Sequence, residues 1–562
     1  MEASAGPRSL RARGMEGIAV KTIETKRNTT PDAPRRGLRH DLRQFKRSER
    51  GSMVIFGLMI MILMLIAGGI AVDTMRYEAN RTKLQNTLDR AVLAAASLDQ
   101  DLDPTVVVTD YFAKAGLQNY VLDVDVEEDT VGSYRKVTAE ASIDVNSLFL
   151  HMVGIDSINA PATGTAEERV LNVEIALVLD ISGSMGDWSP TGGKSKMQLM
   201  KDAATEFVNT VLVDEQKDLV SVSVIPYNGK VNAGALVANH FSFSTEHNFS
   251  NCINFTEAMF STTAIDPLSP LPRMGHFNKD STSGSMTNPW CPTSEYGAII
   301  PWSNNKATIN TAINGLNANG WTAIDVGMKW ASILIDPSTQ ANLTAMAVAA
   351  PASVDPIFAG RPVAYDDRDT IKVVILMTDG SNTNQYDLKD EFKSGMSNVW
   401  IYERSGQAPQ FSYYIPESNR YRDPWDNTNY STPIGGSSAR QMSHVELWSR
   451  YNVRWVADNI YPTRDGANSP YNWKSRIRNA VAQHGGQTVG DRRLEAICTQ
   501  TKAQANRNLV IFSIAFEAPP SGEAALRKCA STPSHYYDVN GFEINEVFAA
   551  IAQTIGQLRL TQ

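Results

Sequence analysis

Cysteine is scarce in this chain, four in 562 residues, and no two stand in a CxxC pair, which leaves no basis for a zinc or thioredoxin-type site. Also missing are HExxH, a phosphate-binding loop, GxSxG and any Cys/His nucleophile pairing. His240, His247, His276, His444, His484 and His535 are scattered and read as solvated or packing side chains. An enzyme is therefore not expected. Positive charge is short over most of the length. Residues 1–50 hold 13 Lys/Arg against 6 Asp/Glu, a balance of +7 in a chain whose net charge is −8, so −15 remains for the rest. An acidic body argues against nucleic-acid binding, and the basic head fits a segment kept on one side of a membrane.

What is present is enough apolar residue, 42 %, to build two or three packed domains. Residues 53–72, MVIFGLMIMILMLIAGGIAV, run without a charge for the length that spans a bilayer as a helix. Arg43, Lys46, Arg47 and Arg50 precede them, whereas the following DTMRYEANRTKLQ is mixed in sign. The positive-inside rule predicts a single-pass protein with its N-terminus in the cytoplasm and its C-terminal body outside. A cleaved signal peptide is the competing reading, although its apolar region would usually be shorter and end in a small-residue site. In an exported body the four cysteines suggest two disulfides, most simply Cys252–Cys291 and Cys498–Cys529; in a cytosolic one they would be reduced, buried thiols.

The helical pattern continues after the span, with no Gly or Pro between Arg76 and Arg90 and with Leu84, Leu88 and Ala91 at helical spacing. Gly51-Ser52, the apolar run, Asp73, Lys83-Leu84-Gln85, Asp89 and Ala94–Ala96 follow in an order that resembles the N-terminal segment of TadE/TadG-like pilus-assembly proteins. Residues 99–168 read as a small α+β stalk. In it VTAEASIDV alternates as a half-buried strand does, and Asn159–Gly164 reads as a linker.

From 169 to 562 strand and helix patterns alternate, which predicts an α/β domain with a doubly wound, mostly parallel sheet. Val173–Leu179 and Ile371–Met377 are compact apolar runs of the kind buried on both faces of a sheet. The first ends in Asp180-Ile181-Ser182-Gly183-Ser184, the second in Thr378-Asp379-Gly380, and Thr322 lies in a loop before a helix. Tyr227-Asn228-Gly229-Lys230 predicts a hairpin and an antiparallel edge strand after it. Ligands sit beyond the carboxyl ends of parallel strands. Asp180, Ser182, Ser184, Thr322 and Asp379 would therefore offer a hard divalent cation, Mg²⁺ or Mn²⁺, two carboxylates and three hydroxyls.

Residues 170–240 and 305–560 resemble a von Willebrand factor A domain, with all five positions of its metal-ion-dependent adhesion site present. That resemblance implies direct coordination by Ser182, Ser184 and Thr322, with Asp180 and Asp379 acting mostly through water. It also implies a protein partner that adds an acidic group to the ion. A polar insert, Gly186–Lys194, and Trp321 depart from the usual pattern. Insertions are expected at about 241–305, 337–370 and 384–490. The last is rich in Tyr and Trp, which fits either a binding surface or a small core of its own.

The expected function is a membrane-anchored, metal-dependent adhesion or protein-binding component of a bacterial tight-adherence (Flp-type) pilus system, with pilus-assembly or envelope proteins as partners. The alternative is a structural scaffold of an envelope complex in which the metal domain is mainly stabilising. The expected divisions are 1–50 basic segment, 51–98 membrane and juxtamembrane helix, 99–168 stalk and 169–562 the metal-binding domain.

Overall fold

The computed structural model describes residues 50–128, 133–214, 216–266, 269–461, 472–504 and 508–560, so the basic segment, apart from Arg50, lies outside them. A single helix, Arg50–Ala96, contains the whole apolar run and continues past it. Its side chains from Met53 to Leu65 are exposed, whereas Leu84, Leu88, Ala91 and Ala95 are fully buried, as the helical spacing required. Among the described residues it is the one helix long and apolar enough to cross a membrane, with a mean hydropathy of 2.7 in its most apolar window.

The chain divides into two compact units, residues 1–86 with 141–162, and residues 87–140 with 163–562. A three-stranded sheet is formed by β1 (Val121–Glu128), β2 (Tyr134–Asn146) and β3 (Ser157–Arg169), in that order. One local expectation changes. Asn159–Gly164 is not a linker but the middle of β3, where the small side chains of Ala160 and Ala162 turn inward at period two. Thr105–Val108 lies in a helix, Pro104–Lys114, begun by Asp103, whose carboxylate accepts the N–H groups of Thr105 and Val106.

The larger unit is organised by a six-stranded sheet ordered β16-β15-β7-β4-β5-β6. Its strands are β4 (Asn172–Asp180), β5 (Val220–Tyr227), β6 (Ile300–Ser303), β7 (Thr370–Thr378), β15 (Leu509–Phe516) and β16 (Tyr536–Val539). All neighbours run parallel except the edge strand β6. Alternate side chains of β4 serve two cores, which is why the strand reads as an unbroken apolar run. Val173, Ile175, Leu177 and Leu179 meet the helices Lys196–Val211, Lys306–Gly315 and Glu543–Leu560. Ala176 and Val178 face the helices Ile324–Leu334, Gln487–Ala503 and Pro520–Cys529.

The antiparallel edge strand exists, but Asn228-Gly229 does not lead into it. Seventy-odd residues intervene before Ile300, because the Asn228 side chain and carbonyl are taken by another loop: Asn228 Nδ2 donates to the Asn319 carbonyl at 2.8 Å and the Ala323 N–H donates to the Asn228 carbonyl at 2.8 Å.

The first and last insertions share a third core. Cys252, Met274, Phe277 and Cys291 pack with Leu388, Val399, Tyr413, Trp448 and Tyr461. Around it stand a five-stranded sheet of β9 (Met396–Tyr402), β10 (Gln410–Ile415), β11 (Arg420–Arg422), β12 (Asn429–Tyr430) and β13 (Arg440–Ser443), and a pair formed by β8 (Gln385–Leu388) and β14 (Val481–Gly485). Most aromatics of the last insertion thus build its core; Trp425 and Tyr430 stay exposed. The two disulfides are Cys252–Cys291 and Cys498–Cys529, and no described cysteine is free.

Candidate metal centre

Five residues expected to act together are brought together by the sheet. β4 ends on Asp180 and β7 ends on Thr378, immediately before Asp379, and the two strands are hydrogen-bonded neighbours in parallel register. Side chains 195 positions apart in sequence therefore meet: Ser184 Oγ donates to Asp379 Oδ1 at 2.7 Å, and Ser182 Oγ lies 3.2 Å from Ser184 Oγ. The Asp180 carboxylate is buried and already engaged on both oxygens, accepting the Ser182 N–H at 2.7 Å and the Thr378 hydroxyl at 2.5 Å.

Thr322 arrives on the third loop. The Gly183 N–H donates to the Gly320 carbonyl at 3.0 Å and the Asn319 N–H to the Ile181 carbonyl at 2.9 Å, so the serine loop and the threonine loop are stitched edge to edge. Gly320 has φ +87°, a left-handed conformation that glycine adopts without strain. The threonine is fixed from the other side by Thr383, whose hydroxyl accepts the Thr322 N–H at 2.9 Å. A side-chain carbon built on Gly380 would meet Thr322 Oγ1 at 3.4 Å and Ser184 Oγ at 3.8 Å, so both hydroxyls flank that glycine.

The electrostatics are those of a site short of positive charge. Burial, with the Asp379 charge beside it, pushes the Asp180 carboxyl up to about 7. Burial likewise raises Asp379, against the lowering effect of Ser184 and Lys196. One cation is supplied by the chain: Lys196, first residue of its helix, places Nζ 3.1 Å from Asp379 Oδ2 and 3.9 Å from Glu517 Oε2. Nothing in the spacing of the sequence marks Lys196, sixteen positions after Asp180, as part of this site. Asp325, buried in the helix that starts after Thr322, accepts from Gln385 Nε2 at 2.8 Å, and burial raises its carboxyl to about 6.

No group of three or more His, Cys, Asp or Glu side chains fit to hold a metal ion occurs among the described residues. The donor set here is of another kind, two carboxylates and three hydroxyls, which suits a small hard cation and not a thiolate- or imidazole-bound one. Both departures from the resembled pattern lie at the rim. Trp188 of the Gly186–Lys194 insert and Trp321 are exposed. Trp321 leads into a group of rings and ammonium groups: its ring lies 6.4 Å from that of Tyr386, which lies 5.3 Å from Trp290, and Lys279 Nζ sits 4.5 Å above Tyr386.

Residues 51–98 match the family described as putative Flp pilus-assembly TadE/G-like. No curated protein matches the chain. Among solved structures it is similar to the vWF domain of the type V pili tip protein Mfa5 from Porphyromonas gingivalis, at 13 % identity and a TM-score of 0.31 over 70 % of this chain and 98 % of that one. It is also similar to the pilus adhesin SpaC from Lactobacillus rhamnosus GG in its open conformation, at 12 % identity and a TM-score of 0.29, covering 78 % of this chain and 34 %, about a third, of that one. The PilB minor pilin from Streptococcus sanguinis gives 11 % identity and a TM-score of 0.28 over 78 % of each chain.

Proposed function

We propose that this chain is a membrane-anchored, metal-dependent protein-binding component of a Flp-type pilus-assembly system. In this reading residues 53–72 cross the inner membrane with the basic segment in the cytoplasm. A doubly wound, von Willebrand factor A-like domain outside binds an acidic group of a partner protein through Mg²⁺ or Mn²⁺. The observation that carries it is the convergence of Asp180, Ser182, Ser184, Thr322 and Asp379 from three separate loops onto one end of the sheet. Two buried carboxylates that repel each other, with hydroxyls between them, form a donor set a divalent cation would satisfy.

Ser182, Ser184 and Thr322 are the residues that would hold the ion directly. Asp180, engaged once on each oxygen by the Ser182 N–H and the Thr378 hydroxyl, would orient the serine loop and accept from water with its remaining lone pairs. The ion would supply an open coordination position for a partner carboxylate. The Trp321–Tyr386 rim with Lys279 would flank that carboxylate with apolar area and positive charge.

The test is Mn²⁺ binding to the purified full chain. Wild type is expected to bind saturably and to release the ion to EDTA, and Asp180→Ala to lose binding while keeping its far-ultraviolet circular dichroism. Equal binding by the variant would overturn the assignment. A second reading, a structural scaffold of an envelope complex in which the metal domain is mainly stabilising, is favoured by Lys196, which already neutralises Asp379. It predicts that Asp180→Ala leaves assembly of the envelope complex unchanged.

A further inference from the structure

Between β2 and β3 the chain reads Leu148-Phe149-Leu150-His151-Met152-Val153-Gly154-Ile155, six large apolar residues of eight with no Lys, Arg, Asp or Glu. In a water-facing hairpin tip such residues would turn inward. Here Leu148, Phe149, Met152, Val153 and Ile155 are all exposed, Met152 by 70 %. The segment lies along the apolar helix. Phe149, Leu150, Met152 and Val153 line a cavity of about 170 Å³ with Ile62, Leu65, Ile66 and Ile70, a stretch of helix about 12 Å long. Gly69 permits this approach: a side-chain carbon there would stand 2.6 Å from Phe149 Cβ.

The backbone of this segment is prepared for a place without water. The buried Asp73 carboxylate, directly after the uncharged run, accepts three N–H groups: Leu148 at 2.9 Å, Phe149 at 2.8 Å and Leu150 at 2.8 Å. Turn bonds take three more, Met152 to the Phe149 carbonyl, Gly154 to His151 and Ile155 to Leu150. Leu150–Val153 is a single 3-10 turn, and backbone outside a continuous helix is tolerated at membrane depth only where protein covers it and its polar groups are satisfied internally. An ordinary solvated loop has no need of that, nor of an apolar surface this continuous.

We infer that residues 148–155 form a membrane-inserted loop, with its apolar side chains in the acyl-chain region of the bilayer beside the helix and Asp73 holding it there. The inference rests on the proposed crossing of residues 53–72. It makes the anchor a helix plus a wedge, so that the stalk is held at a set depth and not only tethered.

The experiment uses the full chain in phosphatidylcholine vesicles with an environment-sensitive fluorophore on a single introduced thiol, Met152→Cys, the native cysteines being paired. A Leu65→Cys sample reports the helix. Acyl-chain doxyl lipid is expected to quench position 152 as deeply as position 65, and aqueous iodide to quench neither. Quenching of position 152 by iodide, with position 65 still quenched by lipid, overturns the loop and leaves the crossing intact. Position 152 shielded from both quenchers places it against a second copy of the chain, and also overturns the inference. If lipid quenches neither position while iodide reaches both, the crossing itself fails and the loop with it.

Discussion

Lys196 Nζ lies 3.1 Å from Asp379 Oδ2, so an ammonium group stands at the edge of the place assigned to a divalent cation. Asp379 Oδ1 is held at the same time by Ser184, which keeps the carboxylate oriented toward the serine loop. The lysine and an incoming ion would therefore compete for one carboxylate, and the buried setting would make that competition stronger than it is in water.

Lys196→Met is expected to raise Mn²⁺ affinity roughly tenfold, about 1.4 kcal/mol, because the apolar replacement keeps the volume and removes the competing charge. In EDTA the same variant melts below wild type, since two repelling carboxylates lose their counter-ion. Calorimetric titration and melting curves with and without chelator check both halves; a variant that binds more weakly contradicts the competition.

Acid should destabilise the insertions. Burial holds His276 down to about 4, with His247 beside it lowering it further; burial also holds His444 down to about 4, with Glu391 raising and Arg476 lowering it. A folded value below the unfolded 6.5 means the unfolded chain binds more protons, so stability is fully present above pH 6.5 and is lost as pH falls from about 6.5 to 4. Each site is worth on the order of 2–3 kcal/mol over that window. Urea melts across it, wild type against His276→Phe, read this directly. The variant should lose less stability on acidification.

Breaking Cys252–Cys291 opens a loop spanning 39 positions and should cost about 4 kcal/mol on chain-entropy grounds. The damage should be local, because both cysteines belong to the core shared by the two insertions and not to either face of the central sheet. Hydrogen exchange on Cys252→Ser/Cys291→Ser is expected to quicken at Val399 and Tyr413 and to stay slow at Val374 and Ile511.

The packing of Phe149 on Gly69 gives a test apart from lipid. Gly69→Ala pushes a carbon into Phe149 Cβ, which belongs to the main-chain side of that residue and cannot simply rotate away. The loop must shift, at about 1–3 kcal/mol. Asp73→Ala orphans three N–H groups of the same segment. Both variants should speed hydrogen exchange at Leu150 and Ile155, and unchanged rates would mean the loop is held by other contacts.

Local pattern was enough to place the helix Arg50–Ala96, the strands β4 and β7 and the loop ends carrying Asp180 and Asp379, because each depends on periodicity over a few turns or on a strand buried on both sides. It was enough to name five side chains that the structure then brings to one end of the sheet. The sequence did not show that Asn228-Gly229 pins the threonine loop, that Asn159–Gly164 is a strand of small inward residues, or that Lys196 joins Asp379. Nor did it show that residues 252–291 and 384–480 share one core. Those depend on which segments, tens to hundreds of residues apart, become neighbours once strands align. Short-range pattern specifies which face of an element is apolar; only tertiary packing decides what covers it.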